Sequence, residues 1–96
     1  MELGKIYSGV SVNEFSVRRD DGYFSVSFEF NCSGELVSAT LSGVRDPHNL
    51  CEILNAERLW VEKERNSKVD FGSYKLGISH EYFTEVVFDQ LSYASS

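Results

Sequence analysis

Between Tyr23 and Phe30, four apolar residues, Phe24, Val26, Phe28 and Phe30, alternate with Ser25, Ser27 and Glu29. A period of two puts successive side chains on opposite sides of a pleated strand, so this segment is a strand with one apolar and one polar face. Three phenylalanines on one face oblige the rest of the chain to supply a second layer that covers them. Short strands also pair with neighbours, and turn signals stand at both ends. Asp20-Asp21-Gly22 provides the positive φ that a tight hairpin needs, after a shorter strand at Phe15-Ser16-Val17-Arg18. Asn31-Cys32-Ser33-Gly34-Glu35 is a second turn cluster. It leads into Leu36–Val44, where Val37, Ala39 and Leu41 share one parity and Ser38, Thr40 and Ser42 the other. The expectation is an antiparallel meander with one solvated face, preceded by a leading strand within Lys5–Val12.

The pattern changes at Arg45-Asp46-Pro47-His48-Asn49. Asp46 as N-cap with Pro47 at the first helical position predicts a helix, with Leu50, Ile53 and Leu54 on its buried stripe, fading between Asn55 and Leu59. Leu59–Glu64 fits a strand equally well, paired through residues 65–68 with Val69-Asp70-Phe71. Tyr74, Leu76 and Ile78 alternate as a further strand. For Ser79–Tyr93 two readings compete. A helix capped by Ser79 gathers Tyr82, Phe83, Val86, Val87, Gln90 and Leu91 on one face, whereas Val86-Val87-Phe88 favours a strand. The helical reading is taken. The expected fold is therefore α+β: one domain spanning residues 1–96, an antiparallel sheet with one or two α-helices packed on one face.

Ninety-six residues support a single core, and 42% hydrophobic with 25% charged residues excludes disorder. Fifteen acidic against nine basic residues give a formal charge of −6, which opposes binding to nucleic acid or to an anionic membrane. Met1–Ile6 has no basic stretch leading into an apolar run, and no apolar run approaches the roughly 20 residues of a membrane span. A soluble, cytosolic protein is expected, with Cys32 and Cys51 as free thiols: Cys32 exposed in a turn, Cys51 a small buried hydrophobe.

Chemistry finds little support. His48 and His80 are too few for a three-histidine zinc site, and neither stands in an HExxH frame; both are read as exposed imidazoles. There is no phosphate-cradling glycine loop and no GxSxG elbow. The phenylalanines of the central strand do not suit base stacking, since no Lys or Arg lies between Arg19 and Arg45. The expectation is a protein that is not an enzyme and needs neither cofactor nor metal.

Charge distribution remains. No Lys or Arg follows Lys75, while Glu81, Glu85 and Asp89 recur every four residues. That spacing places the three carboxylates on one face of either a helix or a strand. Glu62 and Glu64 extend the acidic surface, diluted by Arg58, Lys63, Arg65 and Lys68, and Trp60 and Tyr93 are the candidate aromatic anchors, with core the preferred reading of Trp60 over anchor. A plainly solvated face is the competing account of the charges. The size, the acidity, the strand from Phe24 to Phe30, the Asp46-Pro47 helix start and the Glu81/Glu85/Asp89 face together resemble the small acidic immunity proteins of bacterial toxin systems. That resemblance implies binding to a basic toxin domain, such as a nuclease. Two rivals are a phage-type inhibitor of a nucleic-acid-binding complex, and a small ligand-binding or enzymatic domain, which would hold His48 or His80 in a deep pocket.

Overall fold

The strand read from the Phe24–Phe30 alternation is the centre of one of two sheets. The structure, a computed structural model, describes residues 1–63 and 74–95. Three ten-residue strands, β2 (Ser11–Asp20), β3 (Tyr23–Cys32) and β4 (Glu35–Val44), form the expected meander. Its two hairpins turn on Asp21-Gly22 and Ser33-Gly34, all four residues at positive φ, which is the backbone of a type I′ turn. A fourth strand, β8 (Gln90–Ser95), pairs with β4. The second sheet runs in the order β1 (Tyr7–Ser8), β5 (Arg58–Lys63), β6 (Tyr74–Ser79), β7 (Phe83–Phe88), and every pairing in both sheets is antiparallel.

The sheets join at two corners, where a strand leaves one sheet and enters the other: β1 into β2 across Gly9-Val10, and β7 into β8 across Asp89. With β1–β2 and β7–β8 each counted as one bent strand, the two four-stranded sheets give six strand positions around the core, each bent strand serving both layers. Asp89 fixes the second corner. Its backbone N–H donates to the Ser42 carbonyl at 2.9 Å, and its side chain lies against Gly43, which has φ of 76° and is the point where the β3–β4 register shifts. A side chain at position 43 would collide with that carboxylate.

The core lies between the layers. Val26, Phe28, Phe30, Val37 and Leu41 face Leu59, Val61, Leu76, Ile78, Val86 and Phe88, all 3% exposed or less. Each such side chain contributes about 1.5–3 kcal/mol on burial. Tyr7 meets Phe30 edge-on at 5.5 Å, and the Met1 side chain closes the interior at 1% exposure.

The expected α+β class is overturned: the fold is all-antiparallel β, with no α-helix among the described residues. After Pro47 the chain forms only a six-residue 3₁₀ helix, Leu50–Asn55. Leu50, Ile53 and Ala56 are buried at a spacing of three, the 3₁₀ period, and Leu54 is turned out, half exposed. Asp46 does not cap it; the carboxylate instead accepts the His48 N–H in a local turn, while Asn49 holds the cap position. Ser79–Tyr93 is not a helix but the hairpin tip at residues 80–82, β7, and β8. Buried Phe88 lies off the proposed helical face, and exposed Phe83 and Val87 lie on it. The strand proposed at Val69–Phe71 lies outside the described residues. Cys51 is exposed rather than buried, and Cys32 is half-buried, with its thiol bonded to the Ser8 carbonyl.

Candidate partner-binding face

The outer face of β5–β6–β7 is set by strand register. Three rows cross it: Arg58, Ser79 and Phe83; then Trp60, Gly77 and Glu85; then Glu62, Lys75 and Val87. Alternation dictates which residues these are, since Leu59, Val61, Leu76, Ile78, Val86 and Phe88 take the inner positions.

Gly77 organises the middle row. The indole of Trp60 lies flat on it, occupying the space a Cβ would need, and reaches across β6 to stack on Phe83. The two rings are 5.6 Å apart between centroids and inclined by 20°. This is an offset stack. Phe83 is 55% exposed and Val87 49%, while Trp60 is half-buried, so the stacked pair forms an aromatic platform on the outer face, outside the core. Stacked side chains held by the sheet lose little entropy when a partner covers them, a property of interface anchors.

Charge surrounds the platform. Lys75 Nζ is 3.7 Å from the Glu85 carboxylate, and Lys75 is paired in register with Glu62 on β5. Glu57 and Glu81 stand at the end nearest the hairpin tip, both exposed, and Arg58 lies beside them. Among these described residues, four carboxylates, Glu57, Glu62, Glu81 and Glu85, stand with two cations, Arg58 and Lys75, a surplus of two negative charges.

At the hairpin tip, His80 Nε2 and Glu52 Oε2 are 2.6 Å apart, and the imidazole meets the Tyr82 ring edge-on at 4.5 Å. The His80 N–H also donates to the Tyr82 carbonyl. The Tyr82 hydroxyl hydrogen-bonds to Glu52, and that bond, together with the charge of Glu52, raises the phenol above its usual 10. This cluster ties the 3₁₀ helix to the tip from which Phe83 emerges. His80, expected to be exposed, has a side chain only 12% exposed. It lines an open groove with Glu52, Asn55, Glu57, Glu81 and Tyr82, whereas His48 is exposed. Among the described residues, no three His, Cys, Asp or Glu converge in a way that could hold a metal ion.

Of the residues singled out from sequence, Trp60, Glu62 and Glu85 share this face, with Glu81 at its end. Asp89 does not: it is half-buried at the corner, because the spacing-of-four argument assumed one continuous element from 81 to 89. Tyr93 is half exposed on β8, opposite Ala39, in the other sheet. Glu64 lies outside the described residues. Phe83 and Gly77 were missed. For Phe83 a signal existed, since it shares strand parity with Glu85. No family model, curated protein or solved structure matches the chain. No described helix is long and apolar enough to cross a membrane.

Proposed function

We propose that this chain is a binding domain that covers and neutralises a basic protein, in the role an immunity protein plays against a toxin in the cytosol of the cell that makes it. The outer face of β5–β7 is the docking surface. One observation carries the reading: the only tryptophan of the chain is held outward, stacked on an exposed phenylalanine, at the centre of a rim with surplus carboxylates. Central aromatic anchors supply most of the energy of a protein interface, and complementary charge speeds encounter and rejects wrong partners. Glu81 and Glu85 retain the role expected of them; Asp89 and Tyr93, away from the platform, do not share it.

The test is to recover the bound protein from the native host, co-express it and measure growth. A basic protein whose toxicity is suppressed by the wild-type chain, and whose affinity drops at least about tenfold with Phe83→Ala, supports the reading. Undiminished binding by Phe83→Ala and by Glu81→Lys/Glu85→Lys would overturn it.

A further inference from the structure

We infer that the Trp60–Phe83 platform is a seat for one arginine side chain of the partner, with its guanidinium stacked on the outer face of the indole and held by the Glu85 carboxylate in place of Lys75. The inference rests on the docking surface proposed above and names what enters it.

Three features point to arginine rather than to an apolar or lysine anchor. First, the indole lies over Gly77 and forms an offset stack with Phe83, yet Trp60 is only half-buried, so part of its flat π-surface stays in contact with solvent. A planar cation covers such a surface with both stacking and cation–π attraction, and tryptophan is the strongest ring for it. Second, Glu85 is the cross-strand neighbour of Gly77, in the same row as Trp60 and on the strand that carries Phe83, so a carboxylate belongs to the row over which the indole extends. Third, that carboxylate is held only loosely. Its contact with Lys75 is 3.7 Å between partly exposed side chains, beyond hydrogen-bond length, and such pairs contribute about 0–1 kcal/mol. A guanidinium offers two parallel N–H donors to a carboxylate where an ammonium offers a point charge, so arginine can displace Lys75. Lys75 remains opposite Glu62, its register partner on β5.

The single tryptophan makes the seat directly observable, since intrinsic indole fluorescence reports Trp60 alone. The folded chain is titrated with hexa-arginine and with hexa-lysine, equal in charge, at about 150 mM salt, where long-range attraction is screened. Expected are a saturable change in Trp60 emission with hexa-arginine, at least about fivefold tighter binding than hexa-lysine, and loss of that preference in both Phe83→Ala and Glu85→Gln. Both substituted side chains are exposed, so the variants fold. Equal binding of the two peptides, or a preference that survives Phe83→Ala, overturns the inference. The two proposals fail separately. If Phe83→Ala loses the native partner while hexa-arginine leaves Trp60 emission unchanged, the arginine seat is wrong and the docking face stands. If hexa-arginine binds as described but Phe83→Ala keeps the native partner, the seat stands and the docking face is wrong.

Discussion

The indole of Trp60 rests on the bare backbone of Gly77, one strand away, and this contact lets the ring lie across β6 and stack on Phe83. Leu59 and Val61, on either side of Trp60, are buried, so parity puts Trp60 outside, and the missing side chain at 77 lets it lie flat instead of standing upright. Gly77→Ala inserts a methyl group into the ring's place. The expected cost is about 1–3 kcal/mol, as for other overpacking changes, together with a red shift of Trp60 emission as the ring is lifted into water. Urea unfolding and the emission maximum measure both. A variant as stable as wild type, with unchanged emission, would show that the ring does not depend on Gly77.

The corner at Asp89 gives a comparison between two glycines. Gly22 and Gly43 both have positive φ, 90° and 76°, but only Gly43 is overlaid by a side chain, that of Asp89. Alanine at either position strains the backbone by about 1 kcal/mol. At 43 it must also push Asp89 away, which disturbs the N–H of Asp89 on the Ser42 carbonyl and the passage of the chain between sheets. Gly43→Ala is therefore expected to lower stability by at least about 1 kcal/mol more than Gly22→Ala in denaturant titrations.

These two sites also show which parts of the fold were readable in the chain. The β2–β3–β4 meander was legible because its signals are local: alternating phenylalanines, Asp21-Gly22 and Ser33-Gly34. The last segment was not. Phe83, Val86 and Val87 satisfy a helical period, although Val86 falls on the opposite strand parity from the other two, and the choice of strand is made by pairing with β6, where Gly77 and Lys75 are the cross-strand partners of Glu85 and Val87. The inward parity also changes between Phe88 and Leu91, where the strand turns the corner at Asp89, so no single period describes both halves. Leu50, Ile53 and Ala56 already carried the spacing of three that distinguishes a 3₁₀ turn from an α-helix. The acidic residues of the face were identifiable by composition. Its centre was not, because the placement of the Trp60 ring across β6, against Phe83, depends on a glycine 17 positions away in sequence.

The Tyr82 phenol gives a local probe of the hairpin tip. Its O–H donates to Glu52, and the neutral, donating form is the one that the bond and the nearby negative charge favour; its ionisation is therefore pushed above 10. Glu52→Gln removes the charge and weakens the acceptor. The Tyr82 titration, followed by NMR of its ring protons, is expected to move down toward the ordinary tyrosine value. Because Glu52 also bonds His80, the same substitution frees the imidazole, visible as a shift of the His80 ring signals. A Tyr82 titration that does not move would show that the Glu52 bond is not made in solution.

In a chain whose first residue is Met1 with a free amine, stability should rise between about pH 6 and pH 8 through that group. The Met1 side chain is in the core, and burial of the amine disfavours its charged form, lowering its pKa from 8.0 to about 6 despite the raising effect of Glu2 and Glu35. Between those values the unfolded chain carries the proton and the folded chain does not, so folding releases it and is favoured as pH rises. Above 8 neither state is charged and the contribution is complete; below 6 both are charged and it is lost. A two-unit shift corresponds to about 2.7 kcal/mol at most, and screening of a partly exposed amine reduces this to about 1 kcal/mol. Unfolding free energies at pH 5.5 and 8.5 measure the total slope, and the same pair of measurements on N-terminally acetylated protein removes the amine from it. The slope should be shallower after acetylation by about 1 kcal/mol across the interval, and an unchanged slope would show that the amine is as well solvated in the folded protein as in the unfolded chain.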